Sequence, residues 1–334
     1  MAPSHKTEFK TAASRLTLTV VVELLNAARA ASTVRVILPS VLFLRATRFY
    51  FNIYNAEALE SPIGPLYQFP YLFYNNSMRD IQNETDTRKI PLQKVGVKGV
   101  RYPVTVLDKN HKEQQTTATV DLFVNLPHNF KGTHMSRFIE VFHKYHQDIT
   151  MQHFLDMLEE MRKKLDAQQA FGTVSFPYFI EKKAPVSQAA GIMEYNCSFE
   201  GTVSAEERKF YITIEVPITT LCPCSKAISE YGAHNQRGKV KVKLLYSEFF
   251  WIEDIIELIE KCASSPLYSL LKRQDEKYVT EHAYDNPRFV EDVVREVYTA
   301  LSKHNFKWFS VEAENEESIH FHNAYAYTEF TAEQ

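Results

Sequence analysis

The sequence predicts an α+β protein in which an antiparallel four-stranded sheet carrying two helices occurs twice in tandem. Three observations lead there. Short segments of strict apolar and polar alternation mark half-buried strands. Longer segments with apolar residues at helical spacing mark amphipathic helices. The two kinds follow one another as strand, strand, helix, helix, strand, strand, and then do so again without obvious sequence repetition. Hairpin-joined strands with the helices between the strand pairs put both helices on one face of the sheet. Such a sheet has two open edges, which pairing with another chain would close.

Residues 1–77 stand apart, with seven Lys and Arg against four Glu, no Asp and one Gly. Their apolar stretch at 16–44 is broken by Glu23, Arg29, Arg35 and Pro39, and the nine residues between Arg35 and Arg45 fall short of the roughly 20 a membrane helix needs. This extension reads as a targeting leader or as translation from an upstream start, with Met78 opening the folded part. In the first module, 78–205, residues 102–107 and 117–124 alternate as strands about a polar turn at 108–113. Helices follow at 135–146 and 150–167, the second with Phe154, Met157, Leu158 and Met161 on one face. Strands at 171–180 and 191–203 complete it. In the second module, 206–334, strands are expected at 210–221 and 238–246, helices at 251–262 and 287–304, and strands at 306–313 and 319–330. A long connection, 264–286, separates the second pair of helices, and loops of that length are more often functional than structural.

At 334 residues, 45% of them hydrophobic and 24% charged, the chain can bury one substantial core or two modest ones. A net charge of −3 offers nothing global to nucleic acid or to an anionic membrane, so a polyanionic substrate would need a local basic cluster. Four cysteines, Cys197, Cys222, Cys224 and Cys262, are too few and too unevenly spaced for a disulfide framework. They fit a reducing, cytoplasmic setting, with the C-P-C pair as metal ligands or nucleophile.

Chemistry concentrates in residues 219–237, where two thiols, an imidazole and two cations share nineteen positions. The strand before it alternates, Phe210, Ile212, Ile214 and Val216 on one face against Tyr211, Thr213, Glu215 and Pro217 on the other. Pro223 lacks an amide donor and stops the pairing, so the thiols are presented at the strand end. Ser225 reads as the N-cap of a short helix through Tyr231, with Gly232 as its left-handed C-cap. A helix that short spans about 10 Å, which lets His234 fold back toward Cys222.

The string C-P-C-S-K-x-I-S-x-x-G-A-H-N-Q-R, residues 222–237, closely resembles the signature of the type IB GTP cyclohydrolases, metal-dependent enzymes that open GTP at the start of folate-type pterin synthesis. Gln93-Lys-Val-Gly-Val-Lys98, Lys131-Gly-Thr-His-Met-Ser-Arg-Phe138, Asp275-Glu-Lys-Tyr-Val-Thr-Glu281 and Glu317-Ser-Ile-His320 resemble further stretches of that family, in the same order. The resemblance runs from about residue 90 to the C-terminus. It implies the tunnelling fold, in which sheets of several modules close into a barrel, and a homo-oligomer, expected as a tetramer with each site built by more than one chain. It also implies a divalent ion, zinc, iron or manganese, held by Cys222, His234 and Glu276, with Glu281 as the alternative carboxylate and Cys224 as an alternate ligand or a neighbouring thiol. A catalytic site of this type keeps a position open for water.

The same resemblance assigns Glu291 to proton management beside the activated water, against an ion pair with Arg295 four residues on. It makes Glu317, with Glu314 and Glu316 as rivals, the carboxylate that accepts the two hydrogen bonds offered by the guanine edge. His320 and His322, alternating with Phe321 on a strand, would face the pocket. Lys131, His134 and Arg137 at a helix entrance, with Arg237 and Lys226, are the cations for the triphosphate. The implied reaction is hydrolytic opening of the imidazole ring of GTP, loss of C8 as formate, and reclosure to 7,8-dihydroneopterin triphosphate. Two other readings compete: a tunnelling-fold nitrile reductase with a nucleophilic cysteine, and a non-catalytic protein whose metal is enclosed by four ligands.

Overall fold

The computed structural model describes residues 80–332, so the expected leader at 1–77 lies outside the described residues. The first module consists of β1 (Leu92–Asp108), β2 (Lys112–Leu126), α1 (Met135–Tyr145), α2 (Met151–Lys164), β3 (Gln169–Lys183) and β4 (Ala190–Ser204). The second consists of β5 (Arg208–Leu221), α3 (Pro223–Ile228), β6 (Asn235–Leu245), α4 (Ile252–Cys262), β7 (Ser265–Pro266), α5 (Arg273–Asp285), α6 (Val290–Leu301), β8 (Trp308–Glu316) and β9 (Ala324–Thr331). The strands pair in the order β1-β2-β3-β4-β5-β6-β8-β9, and every pair is antiparallel. The two expected sheets are therefore one, joined where Asn196 to Val203 of β4 pair with Glu215 to Arg208 of β5. Beyond that join β7 takes over the same side of β5, at Ile218 and Thr219.

Alternation in the strands and helical spacing in the helices meet in a single buried layer. Ile212, Ile214, Val216 and Ile218 of β5 are buried, as are Val240, Val242 and Leu244 of β6. The apolar face of α4 (Ile252, Ile255, Ile256, Ile259) packs on β5, and that of α6 (Val290, Val293, Val294, Val297, Leu301) on β8 and β9. In the first module Phe138, Val141 and Phe142 of α1 and Phe154, Leu155, Met157, Leu158 and Met161 of α2 are buried in the same way. Each such side chain contributes about 1.5–3 kcal/mol when fully buried. Thr150 caps α2, its Oγ1 accepting the His153 amide at 3.3 Å.

Three departures from the expected elements have local causes. β1 begins ten residues before the expected 102, because its first half is irregular: the register shifts between Val97 and Val100, and Gly99 takes a left-handed φ of 70°. The 264–286 connection contains α5, which buries only Asp275 and Ala283 and so has no apolar stripe to detect. The last strand starts at Ala324 rather than 319, since β8 ends at Glu316 and offers residues 317–323 no ladder.

The two ends of the sheet carry different connections. The β1–β2, β3–β4, β5–β6 and β8–β9 turns lie at one end, here the upper end, and the β4–β5 turn lies at the lower end. The fourteen residues of β5 separate the two by roughly 45 Å at about 3.3 Å per residue.

Carboxylates of the second module lock onto the upper end of the first. Glu253 Oε1 accepts from the Tyr178 hydroxyl (2.7 Å) and the Lys109 amide (2.8 Å). Glu260 Oε1 accepts from Lys182 Nζ (2.6 Å) and the Tyr195 hydroxyl (2.9 Å). Burial pulls the Lys182 ammonium below its usual pKa, while Glu260 opposes that pull. Asp275, fully buried, accepts from the Val186 and Ser187 amides at 2.9 and 2.8 Å, the Ser187 hydroxyl at 2.6 Å and the Lys272 amide at 2.8 Å. Burial pushes its pKa up, but the Ser187, Lys272 and Val186 hydrogen bonds outweigh it and hold the carboxyl well below the usual range.

Two outcomes are expected of these contacts. Gly172 of β3 and Gly201 of β4 face each other, and a Cβ on Gly201 would lie 2.7 Å from the Phe154 ring and 2.8 Å from Leu158. Gly201→Val should lower stability by about 1–3 kcal/mol through overpacking, seen as a lower urea midpoint at unchanged slope; an unchanged midpoint would mean α2 does not rest on these glycines. Because the Asp275 pKa is depressed in the fold, its contribution is present above about pH 4, the unfolded value, and is lost as pH falls through the native one. Asp275→Ala should thus be clearly destabilised at about pH 7, with the gap from wild type narrowing below about pH 4. A gap of equal size at both pH values would show that the charge plays no part.

Candidate functional site

The candidate site forms where β5 leaves the sheet at its upper end. Leu221 and Asn235 make the last rung of the β5–β6 ladder, and Cys222 and His234 are the residues just beyond it. Leu221 is held on both sides: its amide donates to buried Ser264 Oγ at 3.0 Å, and its carbonyl accepts the Arg288 amide at 3.0 Å. Thr220, also buried, accepts from Asn315 Nδ2 of β8 at 3.0 Å.

Cys222, not Ser225, is the N-cap. Pro223 occupies the first helical position, where its missing amide is harmless, and Cys222 Sγ accepts the Ser225 amide at 3.5 Å. The helix ends at Ile228 with Ser229 as its C-cap, three residues earlier than expected. Gly232 is left-handed, φ 118°, but belongs to the turn after the helix. Ser225 has a different task. Its hydroxyl donates to the Cys222 carbonyl at 3.1 Å and accepts the His234 amide at 3.2 Å, while the Cys222 amide donates to the His234 carbonyl at 3.1 Å. The backbones of Cys222 and His234 are thereby fixed side by side, and both residues are half-buried. His234 Nδ1 lies 3.0 Å from Ser318 Oγ, which leaves Nε2 for another partner. A thiol beside an imidazole whose other nitrogen is held by a hydroxyl suits a zinc-type ion in donor chemistry and in orientation. Cys224 is exposed, and all four cysteines are free.

Other expected residues are distributed around this pair or far from it. Glu276 is exposed in the first turn of α5, directly after the clamped Asp275; Glu281 lies further along, 3.8 Å from Lys277. Among the described residues no three His, Cys, Asp or Glu side chains converge closely enough to hold a metal, so Cys222, His234 and Glu276 are not preassembled within one chain. Lys226 is occupied, donating to the Tyr284 carbonyl and lying 4.2 Å above the Tyr284 ring, which ties α3 to α5. Glu291, exposed in the first turn of α6, does not pair with Arg295, which instead approaches Asp292 at 3.5 Å. It lines a groove of about 360 Å³ with Tyr298, Ala326 and Tyr327. Arg237 is exposed on β6 opposite Glu316.

Glu317 is half-buried at the start of the β8–β9 turn, next to Ser318, whose hydroxyl meets His234. Its rival Glu314 is engaged by Asn323 at 2.7 Å and Lys239 at 3.3 Å, and these two contacts hold it below the usual carboxylate pKa. Glu316 is the exposed last residue of β8. His320 and His322 lie in the turn and not on a strand, yet they stack at 5.2 Å and share a side as expected.

The basic cluster is elsewhere. Lys131, His134 and Arg137 surround the start of α1 at the lower end of the sheet, and each has a partner in its own chain. Lys131 meets Glu84 and His134 meets Asp80, both at 3.1 Å, and Arg137 donates to the Lys164 carbonyl at the end of α2. Three positioning residues escaped the sequence reading: Ser225, Asp275 and Ser318. Asp275 and Ser318 stand inside quoted motifs, but apart from the Lys272 amide on Asp275 the partners that give them these roles are 84 or more residues away.

Known proteins resemble the chain across both modules. Residues 78–326 match the family model described as type I GTP cyclohydrolase folE2. GTP cyclohydrolase FolE2 of Geobacter sulfurreducens is 58% identical over 250 residues, covering 75% of this chain and 96% of that protein. Those of Geobacter metallireducens and Syntrophotalea carbinolica are each 56% identical, covering 75% and 76% of this chain and 96% and 95% of theirs. Among solved structures, uricase from Arthrobacter globiformis overlaps 72% of this chain and 94% of its own at a TM-score of 0.44 and 9% identity. With a family model spanning both modules and relatives matched over nearly their whole length, the chain belongs to the type I GTP cyclohydrolase FolE2 family.

Proposed function

We propose that this protein is a GTP cyclohydrolase, hydrolysing GTP to 7,8-dihydroneopterin triphosphate and formate at the upper end of the β5–β6 hairpin. The observation that carries the reading is the Cys222–His234 pair, pinned by Ser225 and oriented by Ser318, in a chain of the FolE2 family. Cys222, His234 and Glu276 are the residues to hold a divalent ion of the zinc, iron or manganese kind. When bound, the ion supplies Lewis-acid activation of water at neutral pH.

The chain's own groups do the rest. The Glu317 carboxylate accepts hydrogen bonds from N1–H and the exocyclic amine of guanine, which orients C8 toward Cys222 and His234. Glu291, with no ion pair of its own among the described residues, takes the proton released by the attacking water and returns one to the imidazole nitrogens as the C8–N bonds break. His320 and Arg237 are further contacts for the nucleotide at this end. Lys131, His134 and Arg137 bind phosphate, but about 45 Å of strand separates them from their own chain's Cys222. They serve the site of another chain.

That placement supports a homo-oligomer, a tetramer by family resemblance, in which the two modules of each chain join a closed barrel of the tunnelling fold. β1 and β9 end the sheet without a further strand among the described residues, and edges of this length call for a partner.

Metal-reconstituted protein incubated with GTP should release formate and form a pterin fluorophore. Cys222→Ala should lose bound metal and reduce turnover on the order of 100-fold or more, beyond the usual effect of an outer partner, with Cys224→Ala milder. GTP turnover that survives complete metal removal would overturn the metal-assisted reading. Assembly has its own test, in which inactive variants are mixed after dissociation. Cys222→Ala with Lys131→Ala should regain activity through hybrid sites, and Cys222→Ala with Glu317→Ala should not, since those two residues share one end of one chain. The reverse pattern would place the basic cluster and the thiol in the same subunit's site.

A further inference from the structure

The contact between His234 Nδ1 and Ser318 Oγ, 3.0 Å long, joins the β5–β6 hairpin to the β8–β9 turn across 84 residues. We propose that Ser318 is a positioning residue, whose hydroxyl oxygen accepts the Nδ1 proton of His234 and so fixes the tautomer with its lone pair on Nε2, ready for a metal ion. The inference rests on the proposed role of His234 as a ligand.

A neutral imidazole carries one N–H and one lone pair, and the partner of one nitrogen decides what the other offers. The backbone of His234 is already fixed, its amide on Ser225 Oγ and its carbonyl on the Cys222 amide. Only ring orientation and tautomer remain to be set, and Ser318 sets them. The turn that carries Ser318 is itself braced. Asn323 Nδ2 donates to Glu314 Oε1 at 2.7 Å, Ala324 pairs with Asn315, and Asn315 donates to Thr220, two residues before Cys222. A hydroxyl placed by such a frame holds a ring more firmly than a mobile loop could. Since Glu317 is the preceding residue, the turn proposed to hold the base also holds the tautomer of the ligand.

The test titrates the metal-free full-length protein with zinc ions alone, in competition with a chromophoric chelator. Ser318→Ala should weaken zinc binding about 10- to 100-fold, the usual effect of removing a group that orients a ligand, with an unchanged melting temperature for the metal-free protein. Ser318→Thr, which keeps the hydroxyl, should bind close to wild type, and His234→Ala should lose the site. If Ser318→Ala binds zinc as well as wild type, or better, while His234→Ala does not bind, Ser318 has no such role and the ligand reading survives. If His234→Ala binds as wild type does, the ligand reading fails and this inference with it.

Discussion

Register between β5 and β6 is the constraint on which the site depends. Eleven consecutive pairs, from Tyr211 opposite Leu245 to Leu221 opposite Asn235, run without a bulge. Because side chains alternate, a slip of one residue would turn the whole apolar face of β5 toward solvent. The burial of Ile212, Ile214, Val216 and Ile218 in the core under α4 therefore does more than stabilise the fold. It fixes which residues come after the last rung, and so brings a thiol from one strand beside an imidazole from the other. Core packing many residues away decides the geometry of the chemistry.

Much of this architecture was legible in the sequence because it is periodic. Strand alternation and helical stripes gave the element order of both modules, and Pro223 gave the end of β5. What escaped is aperiodic or non-local. α5 has no apolar stripe because it is held by one buried carboxylate, not by a hydrophobic face. The first half of β1 is broken by Gly96 and Gly99, where β2 comes close enough that a Cβ on Gly96 would meet the Leu122 carbonyl. Residues 319–322 alternate as a strand would, but the ladder needs a partner, and β8 has ended. At the site, Cys222, His234 and Glu317 stood in recognisable strings, whereas Ser225 was misread as a cap because Pro223 had already started the helix.

The separation of the charged groups comes from the same topology. Strands that pair in chain order place every hairpin turn of a module at one end and the segment that leaves β2 for α1 at the other. Thiol, imidazole and the 317–323 turn belong to the first kind of position, and Lys131, His134 and Arg137 to the second. No side-chain rearrangement in one chain can bridge the length of a strand. On the proposed reading both groups serve one nucleotide only across two copies of the chain, which would make assembly a condition of catalysis.

The clamps between the modules also bear on how the chain is made. Tyr178, Lys182, Tyr195 and the amides of Val186 and Ser187 take their partners from Glu253, Glu260 and Asp275, which lie 65 to 89 residues further along. At about 5–20 residues per second of synthesis, those partners arrive roughly 3 to 18 s later. During that interval the emerging first half shows water an unpaired edge on β4 and a set of unmatched donors at its upper end. The nascent chain is open to wrong partners for seconds before its own carboxylates reach it, and the ribosome's pace, as much as the final fold, governs how much of it is assembled correctly.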